Sequence, residues 1–374
     1  MLSNCSWTVA SPSPRSFRCR CADAGPSRLR PADQGLTSAP PGRPGPTLKR
    51  FSARFPTMLR LPDHWVWDSW YARDDNGLWH VFFLRASRAL HDPHRRHRRA
   101  TIGHAVSTDL RSWRLVADAV VPADPPGWDD LATWTGCTVR GPDGLWYLFY
   151  TGVGRAEDGL VQRIGLAVSD DLMTWHRHGS EPIVQADPTW YELLDTDLWY
   201  EQAWRDPWVF PDPHGQGWHM LITARANTGP ANTRGVVGHA TSTDLLHWTV
   251  RPPLSTPAGF GHLEVPQVAV LDGQPLLLFS TDATGSARRD GHRIWVATGE
   301  STVGPWDIAS ARPFTHPHLY APRLVHGPAD DWSLIGFLDH VDDTFVGEIT
   351  DPIPVRYRAA TGLTVDTARA TAGQ

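Results

Sequence analysis

The stretch IGHAVSTDLRSW (residues 102–113) is the strongest indication of the fold, because it recurs as IGLAVSDDLMTW (164–175) and as VGHATSTDLLHW (237–248). Each copy begins with small and β-branched residues in rough alternation, which predicts a strand. Each continues with Ser-x-Asp-Leu, a turn in which the Ser or Asp side chain bonds nearby backbone N–H groups. Each ends on Trp, which we expect to fill the space between neighbouring sheets.

A second pattern alternates with the first, a Gly or Asp turn followed by an aromatic and apolar strand. Its five copies lie at 75–86, 142–153, 215–226, 271–282 and 329–340. Many short strands with turn signals, repeated every several tens of residues, are typical of radially arranged sheets. We therefore predict an all-β fold, a five-bladed β-propeller with four-stranded antiparallel blades around a central channel. An irregular β-sandwich is the alternative.

Composition divides the chain of 374 residues into two segments. Residues 1–57 carry nine Lys and Arg against two Asp and are rich in Pro, Ser and Gly, so we expect them to be disordered. Residues 58–374 contain both repeats and are expected to form the propeller domain.

Charge and composition also limit partners and cofactors. A net charge of −5 gives no reason to expect a nucleic acid partner. No apolar run approaches the roughly 20 residues that span a bilayer, so no membrane partner is expected. Lys49 is the only lysine, which argues against pyridoxal-type and P-loop chemistry, and no cofactor is predicted. The missing secretory apolar stretch and a lone cysteine after residue 57, Cys137, favour the cytoplasm.

Two charged stretches contain residue types that can bind a metal ion. HDPHRRHRR (91–99) places three histidines at a spacing of three within a basic run. A solvated loop between strands is favoured, because the arginines repel a cation. Asp195, Asp197 and Glu201 form an acidic patch, for which a surface loop is favoured over contact with a sugar or a cation. No metal site is predicted.

Three carboxylates stand shortly ahead of a turn–strand copy: Asp68 in WVWDSW (65–70), Asp206 in WRDPWVF (204–210) and Glu264 in HLEVPQV (262–268). Each occupies a comparable place in its unit, so the three are expected to open on one end of the channel. Any one of them alone reads as a turn residue or a buried ion-pair partner. Together, with Arg205 beside Asp206, they suggest glycoside cleavage, which needs a carboxylic acid and a carboxylate on opposite sides of the sugar.

These stretches carry a family resemblance over roughly residues 60–340. VWDSW (66–70) looks like the nucleophile segment of glycoside hydrolase family 68. WRDP (204–207) resembles the Arg-Asp-Pro motif that families 32 and 68 share. LEVPQVAVLDGQPLLLFS (263–280) is similar to the acid/base segment of family 32, and WTGC (134–137) resembles the stretch that lines the fructosyl pocket.

The resemblance implies a five-bladed propeller that cleaves or transfers β-fructofuranosyl units of sucrose or fructo-oligosaccharides, with retention through a covalent fructosyl-enzyme. It assigns an ionised Asp68 as the nucleophile, Asp206 as the transition-state stabiliser beside Arg205, and Glu264 as the general acid/base. It further implies residues that line the sugar pocket, namely Trp67, Trp134 and Thr135. Two alternatives stay open, an inverting arabinofuranosidase or xylosidase of family 43 and a catalytically inactive sugar-binding propeller.

Overall fold

Short β-strands make up nearly all the regular structure of the described residues. The computed structural model describes residues 57–282, 291–327 and 331–370, and these ranges contain 22 strands. The predicted disorder of the N-terminal segment lies outside the described residues, except that Thr57 begins the first strand.

The strands form five sheets that follow one another along the chain. The first contains β2 (His64–Arg73), β3 (Trp79–Ser87), β4 (Thr101–Ser107) and β5 (Arg114–Leu115). The second contains β6 (Ala132–Arg140), β7 (Trp146–Val153), β8 (Gln162–Ser169) and β9 (His176–Arg177). The third contains β10 (Trp204–Pro211), β11 (Trp218–Arg225), β12 (Gly235–Ser242) and β13 (Trp248–Arg251). The fourth contains β14 (Glu264–Leu271), β15 (Gln274–Ser280), β16 (Ile294–Thr298) and β17 (Arg312–Pro313).

The fifth sheet joins the two ends of the described chain. It contains β18 (Leu319–His326), β19 (Trp332–Val341), β20 (Thr344–Thr350) and, beside β20, β1 (Thr57–Leu59). Strand β19 also pairs with β21 (Ile353–Arg358), which pairs with β22 (Gly362–Val365). Because β1 precedes the first blade and completes the last, its pairing helps to close the ring.

Helical segments are few and short in the part of the chain that the structure describes. Three 3₁₀ helices lie at Arg88–Leu90, Pro93–Arg99 and Ala231–Thr233, and one α-helix, α1, at Thr367–Ala370. Among the described residues, none of these helices combines the length and the apolar character needed to cross a bilayer.

The first strands of the five sheets contact one another in a closed circuit. β2 touches β6, β6 touches β10, β10 touches β14, β14 touches β18, and β18 returns to β2. All pairings within the sheets are antiparallel. The predicted five-bladed β-propeller is therefore confirmed, and the sandwich alternative is wrong.

The repeat that predicted the fold forms the third strand of a blade and the turn after it. In the first copy the Asp109 carboxylate accepts hydrogen bonds from the backbone N–H groups of Arg111 and Ser112, and the buried Leu110 has a φ of 59°. Asp171 and Asp244 make the equivalent bonds in the other copies. These bonds fix the turn into the fourth strand.

Two of the three tryptophans that end the repeat fill the space between blades, as expected. Trp175 of the second blade packs edge-on against Phe82 of the first, with ring centroids 5.6 Å apart. Trp248 of the third blade packs in the same way against Phe149 of the second, also at 5.6 Å. The first repeat thus defines how neighbouring sheets meet, which brings distant parts of the chain to the channel.

Candidate active site

Each first strand carries a β-bulge at the same level of its blade. The register shifts lie at 67–69 in β2, 134–136 in β6, 205–208 in β10, 264–267 in β14 and 320–323 in β18. A bulge leaves one residue unpaired and turns its side chain to a new direction. The residues at the five bulges are Asp68, Thr135, Asp206, Val265 and Ala321, and those immediately before them are Trp67, Trp134, Arg205, Glu264 and Tyr320. Each of the seven predicted site residues is therefore either a bulge residue or the residue immediately before one.

Backbone strain marks these bulges. Asp68 has a φ of 36°, Asp206 of 57° and Val265 of 51°. A positive φ is uncommon for residues other than glycine, and for the β-branched Val265 it is a true outlier. The conformation of Val265 directs its N–H to Asp206 Oδ2, at 3.1 Å. The strain at Val265 thus serves to fix a carboxylate of the neighbouring blade.

Asp206 is buried and held from several sides. Its Oδ2 atom accepts a second hydrogen bond from the Thr223 hydroxyl at 2.8 Å, and its own N–H donates to Thr151 Oγ1 at 3.0 Å. Arg205 Nε lies 3.5 Å from the same carboxylate oxygen. With only 4% of its side chain exposed and these bonds in place, Asp206 has a fixed orientation.

Asp68 is partly exposed and accepts a hydrogen bond from the Thr135 hydroxyl of the next blade. Burial, followed by the charge of Asp206, raises the pKa of Asp68 to about 7; the Thr135 bond opposes this rise, and the charge of Glu264 adds to it. An ionised Asp68, which attack on a sugar requires, stays a prediction, and the raised pKa means that its ionisation depends on pH around neutrality.

Glu264 bridges two neighbours of the channel. Its Oε1 atom accepts a hydrogen bond from Arg205 Nη2 at 2.8 Å, and its Oε2 atom accepts one from the Tyr320 hydroxyl. The ring of His262 lies beside it, with Nδ1 3.9 Å from Oε1. The side chain is 18% exposed, so Glu264, like Asp68, can be reached by a ligand.

Arg205 connects the second, third and fourth blades. Besides Glu264, it donates to Glu201 Oε1 at 2.7 Å and to Gln162 Oε1 at 3.0 Å. Glu201 was assigned to a surface loop from the sequence, and this is wrong for its carboxylate, which also accepts a bond from Gln162. Asp195 and Asp197, the other members of that acidic patch, are exposed as predicted.

Two residues of β18 were missed by the sequence analysis. Tyr320 contacts Glu264, and Arg323 lies in the interior with 1% of its surface exposed. Arg323 Nη1 donates to the carbonyls of Pro266, at 2.8 Å, and Val265, at 3.3 Å. Its Nε and Nη2 atoms have no hydrogen-bond partner among the described residues. A Pro follows the bulge residue in β10, β14 and β18 alike, and this spacing could have identified Tyr320.

The positive charge of Arg323 acts on the carboxylate cluster. It opposes the rise in the pKa of Asp68. Burial lowers the pKa of Arg323 itself, and the negative charges of Asp206 and Asp68 oppose that change. A buried cation that lacks an ion-pair partner at hydrogen-bond distance is costly, and here it offsets part of the repulsion among three carboxylates.

The two predicted pocket tryptophans pack against the 3₁₀ helix Pro93–Arg99. The Trp134 indole N–H donates to the His97 carbonyl at 2.7 Å, and the His97 ring lies edge-on to Trp67, with centroids 6.1 Å apart. The Arg96 guanidinium lies 5.4 Å from the Trp67 ring. The histidine-rich run connects β3 to β4 and is largely exposed, as predicted, but residues 93–99 of it form a 3₁₀ helix that supports the pocket. Across the described ranges, no group of three His, Cys, Asp or Glu side chains is placed to hold a metal ion.

Comparisons with known proteins agree with this arrangement. The chain matches the model of the glycosyl hydrolases family 32 N-terminal domain over residues 62–348. An extracellular sucrase of Zymomonas mobilis subsp. mobilis is 25% identical over 352 residues, covering 82% of each chain. A levansucrase of that organism is 31% identical over 189 residues, which are 46% of this chain and 42% of the levansucrase. An inulosucrase from Halalkalicoccus jeotgali bound to kestose shares the fold, with a TM-score of 0.64 at 21% identity, covering 83% of this chain and 92% of its own.

The expectation of a cytoplasmic protein is contradicted by these comparisons. The relative that matches over 82% of both chains is an extracellular sucrase. The absence of an apolar stretch near the start of the sequence was the main basis of that expectation, and it does not outweigh this likeness.

The family match includes all five bulges and every predicted site residue. It spans residues 62–348, well over half of the chain, and decides against the family 43 alternative. A glycoside hydrolase also fits the convergence of three carboxylates with different exposures in one channel. The chain belongs to the glycosyl hydrolases of family 32.

Proposed function

We propose that the protein hydrolyses or transfers β-fructofuranosyl units of sucrose or short fructans, by a retaining mechanism with a covalent fructosyl-enzyme. Residues 58–374 are the catalytic domain in this proposal. The main observation in its support is that Asp68 and Glu264 lie at equivalent bulges and are both partly exposed. Asp206, at the bulge of the third blade, is buried. Family membership supports the same class of reaction.

In the first half of the reaction, the Asp68 carboxylate attacks the anomeric carbon of the fructosyl unit. The bond to the bridging oxygen breaks with its electron pair, and Glu264 donates a proton to that oxygen. In the second half, Glu264 removes a proton from water or from an acceptor sugar, which attacks the anomeric carbon and releases the Asp68 carboxylate. Water gives hydrolysis and an acceptor sugar gives transfer.

Asp206 and Arg205 serve the transition state in this proposal. The hydrogen bonds from Thr223 and Val265 fix the Asp206 carboxylate before substrate arrives, so no reorganisation is needed when it accepts sugar hydroxyl groups. Arg205 donates to Glu264 and thereby orients the carboxylate of the adjacent blade. In this proposal Trp134, which is partly exposed, lines the pocket, where its indole face suits the C–H surface of a sugar ring. Trp67 and Thr135 are 2% and 1% exposed, so they support the wall of the pocket from behind.

Product analysis tests the proposed activity. We expect fructose, or longer fructosylated products, after incubation with sucrose, raffinose or inulin. We expect no nitrophenol from 4-nitrophenyl arabinofuranoside. Nitrophenol release without fructose would instead indicate a family 43-type activity, and sugar binding without any product would indicate an inactive propeller.

The pH dependence of activity is expected to depend on Arg323. Asp68 must be ionised to attack, and the Arg323 charge favours its ionised form. Arg323→Gln keeps a donor for the Pro266 carbonyl but removes the charge, so the pKa of Asp68 rises further. A higher pKa moves the ascending limb of kcat/KM for sucrose to higher pH, by about one pH unit.

Measurement of kcat/KM for sucrose from pH 4 to pH 9 checks this expectation. Arg358→Gln, on the exposed end of β21, is the charge-matched control and should leave the ascending limb unchanged. Thermal unfolding monitors the fold of both variants. An ascending limb at the same pH in Arg323→Gln and wild type would contradict a role of Arg323 in the ionisation of Asp68.

A further inference from the structure

A cleft between the first and second blades is lined mainly by arginines, a feature that the proposed chemistry does not use. It encloses about 450 Å³ and is lined by Arg95, Arg98, Arg99, Leu131, Arg155 and Asp158. All four arginines are exposed. We name this site the arginine cleft.

The charge of the arginine cleft is poorly balanced. Asp158 is the single acid in its lining, and its Oδ1 atom pairs with Arg98 Nη1 at 2.6 Å. Three guanidinium groups are left over, in a protein whose total charge is −5. Like charges that converge on one space repel one another, so this arrangement favours an anion between them.

The residue type further specifies the anion. The guanidinium group is planar and presents paired N–H donors that match the oxygens of a phosphate group. A volume of about 450 Å³ also lies in the range of small-molecule sites and exceeds the needs of a simple halide. The chemistry therefore fits a phosphate group, alone or carried by a sugar.

The cleft lies close to the pocket of the proposed reaction. Leu131 precedes β6, and Thr135, which bonds Asp68, lies four residues further on, at about 13 Å along a strand. The 3₁₀ helix Pro93–Arg99 belongs to both sites. Arg95, Arg98 and Arg99 line the cleft, while the neighbouring His97 contacts the two pocket tryptophans.

We propose that the arginine cleft binds a phosphate group, which comes either from a phosphorylated sugar substrate or from free phosphate. The first source rests on the proposed fructosyl chemistry, and the second does not. In either case the ligand contacts the helix that packs against Trp67 and Trp134, so binding in the cleft affects the sugar pocket.

Calorimetric titration tests binding without the need for turnover. Inorganic phosphate and sucrose 6-phosphate are titrated separately into wild type and into the double variant Arg95→Ala/Arg155→Ala. We expect at least one of them to bind wild type and to bind the double variant more weakly by about tenfold or more. Arg114→Ala, an exposed arginine of β5 outside the cleft, should leave the affinity unchanged. Circular dichroism checks that the variants are folded.

Kinetics distinguishes the two sources. If the substrate carries the phosphate, KM for sucrose 6-phosphate is lower than for sucrose, and the double variant loses this difference while sucrose kinetics are unchanged. If free phosphate is the ligand, adding it changes sucrose kinetics in wild type without competing with sucrose, and this effect is absent from the double variant.

Two results would contradict the proposal that the arginine cleft binds a phosphate group. One is the failure of both ligands to bind wild type, and the other is equal affinity in wild type and the double variant. Because titration is independent of cleavage, phosphate binding in a protein without activity on sucrose would support the cleft and contradict the proposed function. Activity on sucrose without phosphate binding would support the proposed function and contradict phosphate binding in the arginine cleft.

Discussion

Asp68→Asn is expected to abolish cleavage of sucrose, with a loss of kcat of at least about a thousandfold. The amide of Asn is a very poor nucleophile, so the covalent fructosyl-enzyme cannot form. The fold should be retained, because Asn has nearly the same shape as Asp and tolerates the φ of 36° at this bulge. The Thr135 hydroxyl can donate to the Asn carbonyl as it does to the carboxylate.

Sucrose hydrolysis and thermal unfolding of wild type and Asp68→Asn measure this effect. The unfolding temperature should be the same or higher in the variant, since one carboxylate is removed from a cluster of three that repel one another. Asp197→Asn is the control, with the same chemical change at an exposed site, and should retain full activity. Activity of Asp68→Asn within tenfold of wild type would exclude Asp68 as the nucleophile.

The sequence was sufficient to predict the fold because two different strands of the blade repeat independently. The Gly or Asp turn with its aromatic strand corresponds to the second strand of each blade, and the Ser-x-Asp-Leu stretch to the third. Register is set by the alternation of buried and exposed residues, which is a local property. The ring is closed by a long-range pairing of β1 with β20. The three residues of β1 form too short a segment for a local sequence pattern to predict this pairing.

The predicted site residues lie at equivalent bulges. They could be predicted because their residue types and their position within the repeat both indicate the same part of each blade. Asp68, Asp206 and Glu264 each precede a second strand, and the motifs around them identify them. In β18 the equivalent positions hold Tyr320 and Ala321. Neither is a carboxylate, so a search for catalytic acids does not identify them as site residues. Arg323 was missed for a related reason, because its burial beneath the cluster depends on contacts between three blades.

The raised pKa of Asp68 could not be predicted from the sequence either. It depends on how closely Asp206 and Glu264 approach across the channel and on the degree of burial, which are both three-dimensional quantities. The residues that flank Asp68, three tryptophans and a serine, predict an apolar surrounding but not the charges of other blades. Similarly, the basic run at 91–99 predicts exposure correctly but gives no sign that Trp134 bonds to its backbone.

Glu264→Gln is expected to reduce kcat for sucrose by roughly a hundred- to ten-thousandfold, because the leaving oxygen receives no proton. Gln preserves the contacts of this site, since its carbonyl can accept from Arg205 and its amide group can donate to the Tyr320 hydroxyl. The loss should depend on the leaving group. Fluoride departs without a proton, so release of fluoride from β-D-fructofuranosyl fluoride should fall far less than cleavage of sucrose.

The same pair of donors separates the roles of the two exposed carboxylates. Asp68→Asn should lose activity on both sucrose and fructosyl fluoride, because both reactions need the nucleophile, whereas Glu264→Gln should lose mainly the first. Fluoride release and sucrose cleavage are measured on the same preparations, with Asp197→Asn as the shared control. Equal losses on the two donors in Glu264→Gln would contradict proton donation by Glu264 and leave it a residue that orients Arg205.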